Sequence, residues 1–241
     1  MYKEKTLPYS YPRSMTHILK FDSQIDEPDN YSYFCDVLLA ANEEDIVEIY
    51  FSTRGGNGES MITLMNLMRN CRAEIHGYLM SSAHSAGSYL FLNCDVCHVG
   101  RHVSMLCHVV SYGTGGSHHE VKAMVEHIDK EERDLVNDTY KHFLSDKEID
   151  ELLNGKQIWL YEQEIITRLE KRQEALETEH KVKQEEALAD MMDDFIEELP
   201  DEVLAKLTKK QLIDYIGGRV MVDVAEGGKI SIVEVENNEN N

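Results

Sequence analysis

Residues 45–95 constrain the fold most tightly. Asp45 to Phe51 (DIVEIYF) reads as a strand with apolar residues on both faces, the pattern of a parallel strand. It runs into Ser52-Thr53-Arg54-Gly55-Gly56-Asn57-Gly58. The next helix carries Met61, Leu64, Met65 and Met68 on one face. Ile75, Gly77, Tyr78, Leu79 and Met80 predict a further buried strand, and the small residues Ser81, Ser82 and Ala83 a tight turn. Ala86 to Asn93 predict a buried helix with Ser85 at its mouth. Strand, loop, helix, strand, turn, helix is the βαβ alternation of a mainly parallel sheet.

A serine on a strand-to-helix turn has an exposed hydroxyl beside the first helical N–H groups, donors suited to a developing oxyanion. Such a serine needs a base at neutral pH. The histidine best placed by local pattern is His108, 23 positions further on, near the end of the strand-like segment His98 to Val110. Gly55 and Gly56 let a backbone N–H approach a ligand with no Cβ in the way. Their loop lacks the Gly-Lys-Ser/Thr of a P-loop and the spacing of a dinucleotide fingerprint. An ordinary buried turn and a structural histidine are the plain alternatives.

Cys94-Asp95-Val96-Cys97-His98 matches the short haem-attachment pattern, which chance produces often and which needs an export route. Cys94, Cys97, His102, Cys107 and His108 include one tight Cys pair, short of the two pairs usual in a structural zinc site. No metal and no cofactor is expected.

The remainder reads as helices around this unit. An arm (1–15) with Pro8 and Pro12 precedes a strand at His17 to Phe21 and helical spacing at Tyr31 to Ala41. A long helix is expected from about His119 to Phe143, its stripe of Val121, Met124, Val125, Ile128, Leu135 and Val136 suited to meeting another subunit. A short helix (Asp146 to Leu153) and an extended piece (Gln157 to Leu160) follow, then a helix from Glu162 to about Leu199, stopped by Pro200. Beyond it two short helices (201–207, 208–216), a hairpin around Glu226-Gly227-Gly228 and a polar tail are expected. The expected domains are therefore the arm 1–15, a main domain 16–173 and an acidic α+β appendage 174–241. A net charge of -21 disfavours nucleic acid and anionic membrane as partners. No apolar run reaches the roughly 18 residues of a membrane span, and no leader is evident. Five scattered cysteines suit reduced thiols. A cytoplasmic location is the expectation.

Taken together, Ser52-Thr53-Arg54-Gly55-Gly56, Ala83-His84-Ser85-Ala86-Gly87 and Leu106-Cys107-His108 resemble the ClpP family, the serine peptidases of Clp proteases. Phage-encoded ClpP-like proteins are an especially close comparison. The resemblance covers about residues 15–160. It implies a crotonase-like stack of ββα units with a projecting handle helix. It also implies hydrolysis of polypeptides inside a homo-oligomeric ring or double ring, fed by an AAA+ unfoldase, in a bacterial or phage-infected cell. By matching position, Ser85 falls on the nucleophile, His108 on the base, and Gly56 and Ala86 on the oxyanion donors. The helix at His119 to Phe143 falls on the handle.

The chain departs from the family pattern in three places. The acidic triad position, two before Trp159-Leu160, is Gln157, which can accept a hydrogen bond but carries no charge. Arg54 replaces the usual proline, and Thr167-Arg168-Leu169-Glu170 stands where a closing Gly-Leu-Val/Ile-Asp segment is usual. Gln157 supports an alternative, a catalytically impaired ring subunit kept as scaffold or regulatory partner. A third class, another acyl-transfer enzyme, meets two objections. The order and spacing of Ser85 and His108 differ from the α/β-hydrolase triad, and no basic cluster is present for the phosphates of an acyl-CoA.

Overall fold

The computed structural model describes residues 14–198, 220–225 and 229–234. The expected arm, the two short helices after Pro200, the hairpin's turn and the polar tail lie outside the described residues. The chain divides into two compact units, Met1–Glu174 and Ala175–Asn241. The first unit is mixed α/β, built from β1 (Thr16–Phe21), α1 (Ser32–Ala40), β2 (Ile46–Thr53), α2 (Gly58–Asn70), β3 (Glu74–His84) and α3 (Ala86–Leu92). It continues through β4 (Val96–Val99), β5 (Ser104–Cys107), α4 (His118–Tyr140), α5 (Asp146–Leu153), β6 (Ile158–Tyr161) and the start of α6 (Glu162–Glu198). In the second unit, β7 (Val220–Ala225) and β8 (Lys229–Glu234) pair antiparallel, with Val220 opposite Glu234.

The six-stranded sheet runs β1-β2-β3-β5-β6, with β4 also on β3. All its pairs are parallel except β5 with β6. Leu19, Phe21, Val47, Ile49, Phe51, Ile75 and Leu79 supply the buried strand side chains, and Leu64, Met65 and Met68 of α2 are buried with them. Phe51 sits between Phe21 and Phe91, with ring centroids 5.4 and 5.5 Å away. All seven residues of α3 are buried, so the helix after Ser85 is held on every side.

Three strand expectations need correction. Ser81, Ser82 and Ala83 do not turn; they remain in β3, and Ser82 pairs with Ser104. Between Leu79 and Ala83, β3 carries extra residues against β2, where the partners are Phe51 and Thr53. The small side chains accommodate that bulge rather than a reversal. The segment His98 to Val110 is two strands, β4 on the first part of β3 and β5 on its last part. The chain steps between them at Gly100, whose N–H donates to the Leu79 carbonyl (2.9 Å), and at His102, at φ 59°. Finally, β2 is buried on one face only, with alternate residues half-buried. The second face is polar and aromatic. Tyr50 stacks on Tyr78 (4.8 Å) and Tyr78 on His98 (4.4 Å), and both phenols donate to Glu48.

Helix α4 is started by a capping box of Ser117 and Glu120. None of residues 111–135 is buried, whereas Val136, Thr139 and Tyr140 are. The helix is thus anchored through its last turn. His142, at φ 64°, helps end it short of Phe143.

Arg168 of α6 grips Glu148 of α5 with two parallel bonds, 3.0 and 2.7 Å, and donates to the Phe143 carbonyl at 3.2 Å. The guanidinium, together with Ser145, brings the Glu148 carboxyl down from 4.5 to about 2. Because the folded value is depressed, this contribution is present above pH 4.5 and is lost as pH falls toward 2. Allowing for solvent screening, wild type should lose about 1–2 kcal/mol more than Glu148→Gln between pH 5 and pH 2.5. Urea unfolding at the two pH values measures the difference; equal losses would remove the pair from the account of acid stability.

Candidate active site

Strand β3 ends at His84 and α3 begins at Ala86, so Ser85 alone makes the corner, at φ 54° and ψ -125°. That backbone is costly for a residue with a Cβ, about 1–3 kcal/mol, and persists only where neighbours hold it. The Ser85 N–H donates to the Leu106 carbonyl (2.8 Å), and the Ser85 carbonyl accepts from Ser88 N–H (2.8 Å) and Ser88 Oγ (2.7 Å). Ser88 Oγ also meets the Tyr140 hydroxyl at 2.7 Å, so the last turn of α4 braces the corner. Ser88→Ala should lower unfolding free energy by about 1–3 kcal/mol, since it also leaves a buried phenol short of a partner. An unchanged denaturation midpoint would show that the bridge carries no stability.

The Gly55-Gly56 loop packs directly against this corner. A Cβ on Gly55 (φ 87°) would fall 2.5 Å from the His84 carbonyl oxygen and 2.6 Å from Ser85 Cβ. A Cβ on Gly56 (φ 151°) would fall 2.0 Å from the Ile25 carbonyl oxygen. Ile25 bridges the loop through Gly55 C=O and Asn57 N–H (2.9 and 2.8 Å), which leaves the Gly56 N–H outside the bridge. Ala86 is the first residue of α3, whose N–H has no acceptor within its own helix.

His108 follows the last residue of β5 and is half-buried; its carbonyl accepts from the Tyr89 hydroxyl at 3.4 Å. Burial pushes the Tyr89 phenol up, so it stays a neutral donor. Ser85, His108, Gly56 and Ala86 all line one cleft of about 120 Å³, together with Met61, Tyr89 and Val110. Among the described residues no hydrogen bond joins Ser85 Oγ to the His108 ring, a bond that commonly tightens only with substrate bound. The neighbouring His84 is engaged elsewhere, with Ser104 Oγ at 2.9 Å and the Trp159 ring at 5.1 Å.

Gln157 does not line that cleft. Cys107 pairs with Ile158, so Gln157 comes one residue before the paired segment as His108 comes one residue after it. Yet the Gln157 side chain is exposed and lines an open depression with Ser145, Glu148, Glu151 and Lys156. Asp146 and Asp150 lie on α5, and Glu162 accepts the His102 N–H at 2.7 Å; none of these lines the cleft. The acid that does reach the His108 segment is Glu132 of α4, which accepts the Val110 N–H. Nothing in the sequence marks it, because it is one of many charges on a solvated helix.

Cys94, Cys97 and Cys107 are free thiols that burial pushes up, the last two to about 12. They are therefore held as neutral thiols, a poor form for nucleophilic chemistry at neutral pH. His98 of the haem-like pattern stacks on Tyr78. Among the described residues no group of three His, Cys, Asp or Glu side chains could hold a metal ion, and no helix is long and apolar enough to cross a membrane.

Comparison with known proteins returns one family. The family model for Clp protease matches residues 14–165, a span that takes in Gly56, Ser85, Ala86, His108 and Gln157. No curated protein matches the chain.

Proposed function

The chain belongs to the Clp protease family, and from that premise we propose that it is a serine peptidase that hydrolyses peptide bonds inside an oligomeric ring chamber. Ser85 Oγ attacks the peptide carbonyl and passes its proton to His108, forming a tetrahedral adduct. The N–H groups of Gly56 and Ala86 hold the oxyanion. Collapse breaks the C–N bond as His108 gives the proton to the leaving amine; water, deprotonated by His108, then adds to the acyl carbon, and the Oγ–C bond breaks as His108 returns that proton to Ser85 Oγ. One observation carries this reading: Ser85, on a strained corner, shares a single cleft with His108 and with Gly56 and Ala86. The exposed length of α4, bearing Val121, Met124, Val125 and Ile128, supports a second copy as the partner there.

The test is labelling with a fluorophosphonate, with the modified residue located by mass spectrometry. An adduct on Ser85 supports the peptidase. Absence of any adduct on a folded, ring-forming protein supports the second reading, an impaired ring subunit that acts as scaffold or regulatory partner. That reading draws on Gln157, which offers no charge at the usual acid position and does not line the cleft.

A further inference from the structure

The proton that reaches His108 creates an imidazolium, and in this site Gln157 supplies no countercharge. Three elements meet at the segment that carries His108. Helix α3 contributes Tyr89, which donates to the His108 carbonyl. Strand β5 leads into it. Helix α4 contributes Glu132, whose Oε1 accepts the N–H of Val110, two residues beyond His108 and itself a wall of the cleft. Glu132 is half-buried, so its charge is screened less than that of a surface carboxylate.

We infer that Glu132 supplies the negative charge His108 lacks at Gln157, while its bond to Val110 fixes the strand end that carries the histidine. Of the influences on this carboxyl, two oppose its charge and two favour it, and on balance it is raised above its ordinary value. Burial pushes it up, the Val110 N–H brings it down, Asp129 on the same helix repels it, and His108 attracts it. Glu132 is a positioning residue: it acts through His108 and does not touch the reacting atoms. The assignment rests on the peptidase reading for the role of His108. It goes beyond that reading by moving the acid from the sheet to the handle helix. A half-buried carboxylate held against the segment that carries the imidazolium is expected to speed the step by about 10- to 100-fold.

Two variants separate charge from geometry. Glu132→Gln keeps an oxygen for the Val110 N–H and removes the charge; Glu132→Asp keeps the charge on a shorter arm. Both are made in the full chain, and two quantities are read: the rate of fluorophosphonate labelling at Ser85, and kcat and KM for a fluorogenic peptide. Glu132→Gln should lower the labelling rate and kcat about 10- to 100-fold with KM within about threefold. Glu132→Asp should retain at least about a third of wild-type rate. Adding Gln157→Asp to Glu132→Gln should recover part of the loss by returning a carboxylate to the position just before β6, opposite His108 in register.

If Glu132→Gln runs at wild-type rate, or if Glu132→Asp is the more damaged of the two, the carboxyl matters only as an acceptor and the inference fails. An unfolded Glu132→Gln, seen as a lost thermal transition, leaves the decision to Glu132→Asp, and a folded Glu132→Asp that fails to label overturns it. Wild-type protein that never labels at Ser85 overturns the peptidase reading, and the role of Glu132 with it. Labelled wild type with an indifferent Glu132 overturns this inference alone.

Discussion

Ser85→Ala is expected to give a folded protein whose peptide hydrolysis falls at least about 10³-fold and whose fluorophosphonate adduct is gone. The fold should hardly notice the change. Alanine has the same Cβ as serine at φ 54°, and the bonds that hold the corner run through backbone atoms and Ser88. Ser85→Gly sharpens the test. Glycine meets no Cβ penalty at positive φ, so this variant should lose activity equally and gain about 1 kcal/mol of stability. Lost turnover with gained stability would show strain kept for chemistry. Turnover that survives Ser85→Ala would send the search to another nucleophile.

Gly56→Ala carries the largest structural effect. The added methyl would lie 2.0 Å from the Ile25 carbonyl oxygen, 2.8 Å from its carbon and 2.9 Å from its nitrogen. Backbone cannot swing aside as a side-chain tip can, and Ile25 is buried in the core. The bridge of Ile25 to the loop should open, at a cost of about 3 kcal/mol or more, and the labelling of Ser85 should disappear with it. Gly58→Ala is the control, since a Cβ there meets nothing within 4 Å at the first residue of α2. Its stability should stay within about 0.5 kcal/mol of wild type. Equal urea midpoints for the two variants would remove the Ile25 contact as the reason for Gly56.

Much of the unit around residues 45–95 was legible from spacing. Met61, Leu64, Met65 and Met68 recur at helical intervals and are all buried on α2, because a helix packed on a sheet has one face to bury. The place of Ser85 at the mouth of α3 was legible because an apolar strand and a small-residue helix flank it within a few residues. The stretch after Leu79 misled for a physical reason. Small residues suit a bulge as well as a turn, and only pairing with Ser104 and Met105 decides between them. The polar face of β2 was misread likewise. Ile46, Glu48, Tyr50 and Ser52 can be covered or bare, and tertiary packing chooses.

The sequence by itself determined the alternation of elements, the place of Ser85 at the mouth of α3, and the glycine pair before it. All three follow from interactions between near neighbours: periodicity of burial, turn sterics and the missing Cβ. The tertiary structure alone decided what shares the cleft. It joined residues 56, 85, 86 and 108 in one space, left Gln157 out of that space, and brought Glu132 to the histidine's segment. Those contacts link residues far apart in the chain, and no local spacing encodes them. They depend on the order of strands in the sheet and on how the last turn of α4 is seated through Tyr140.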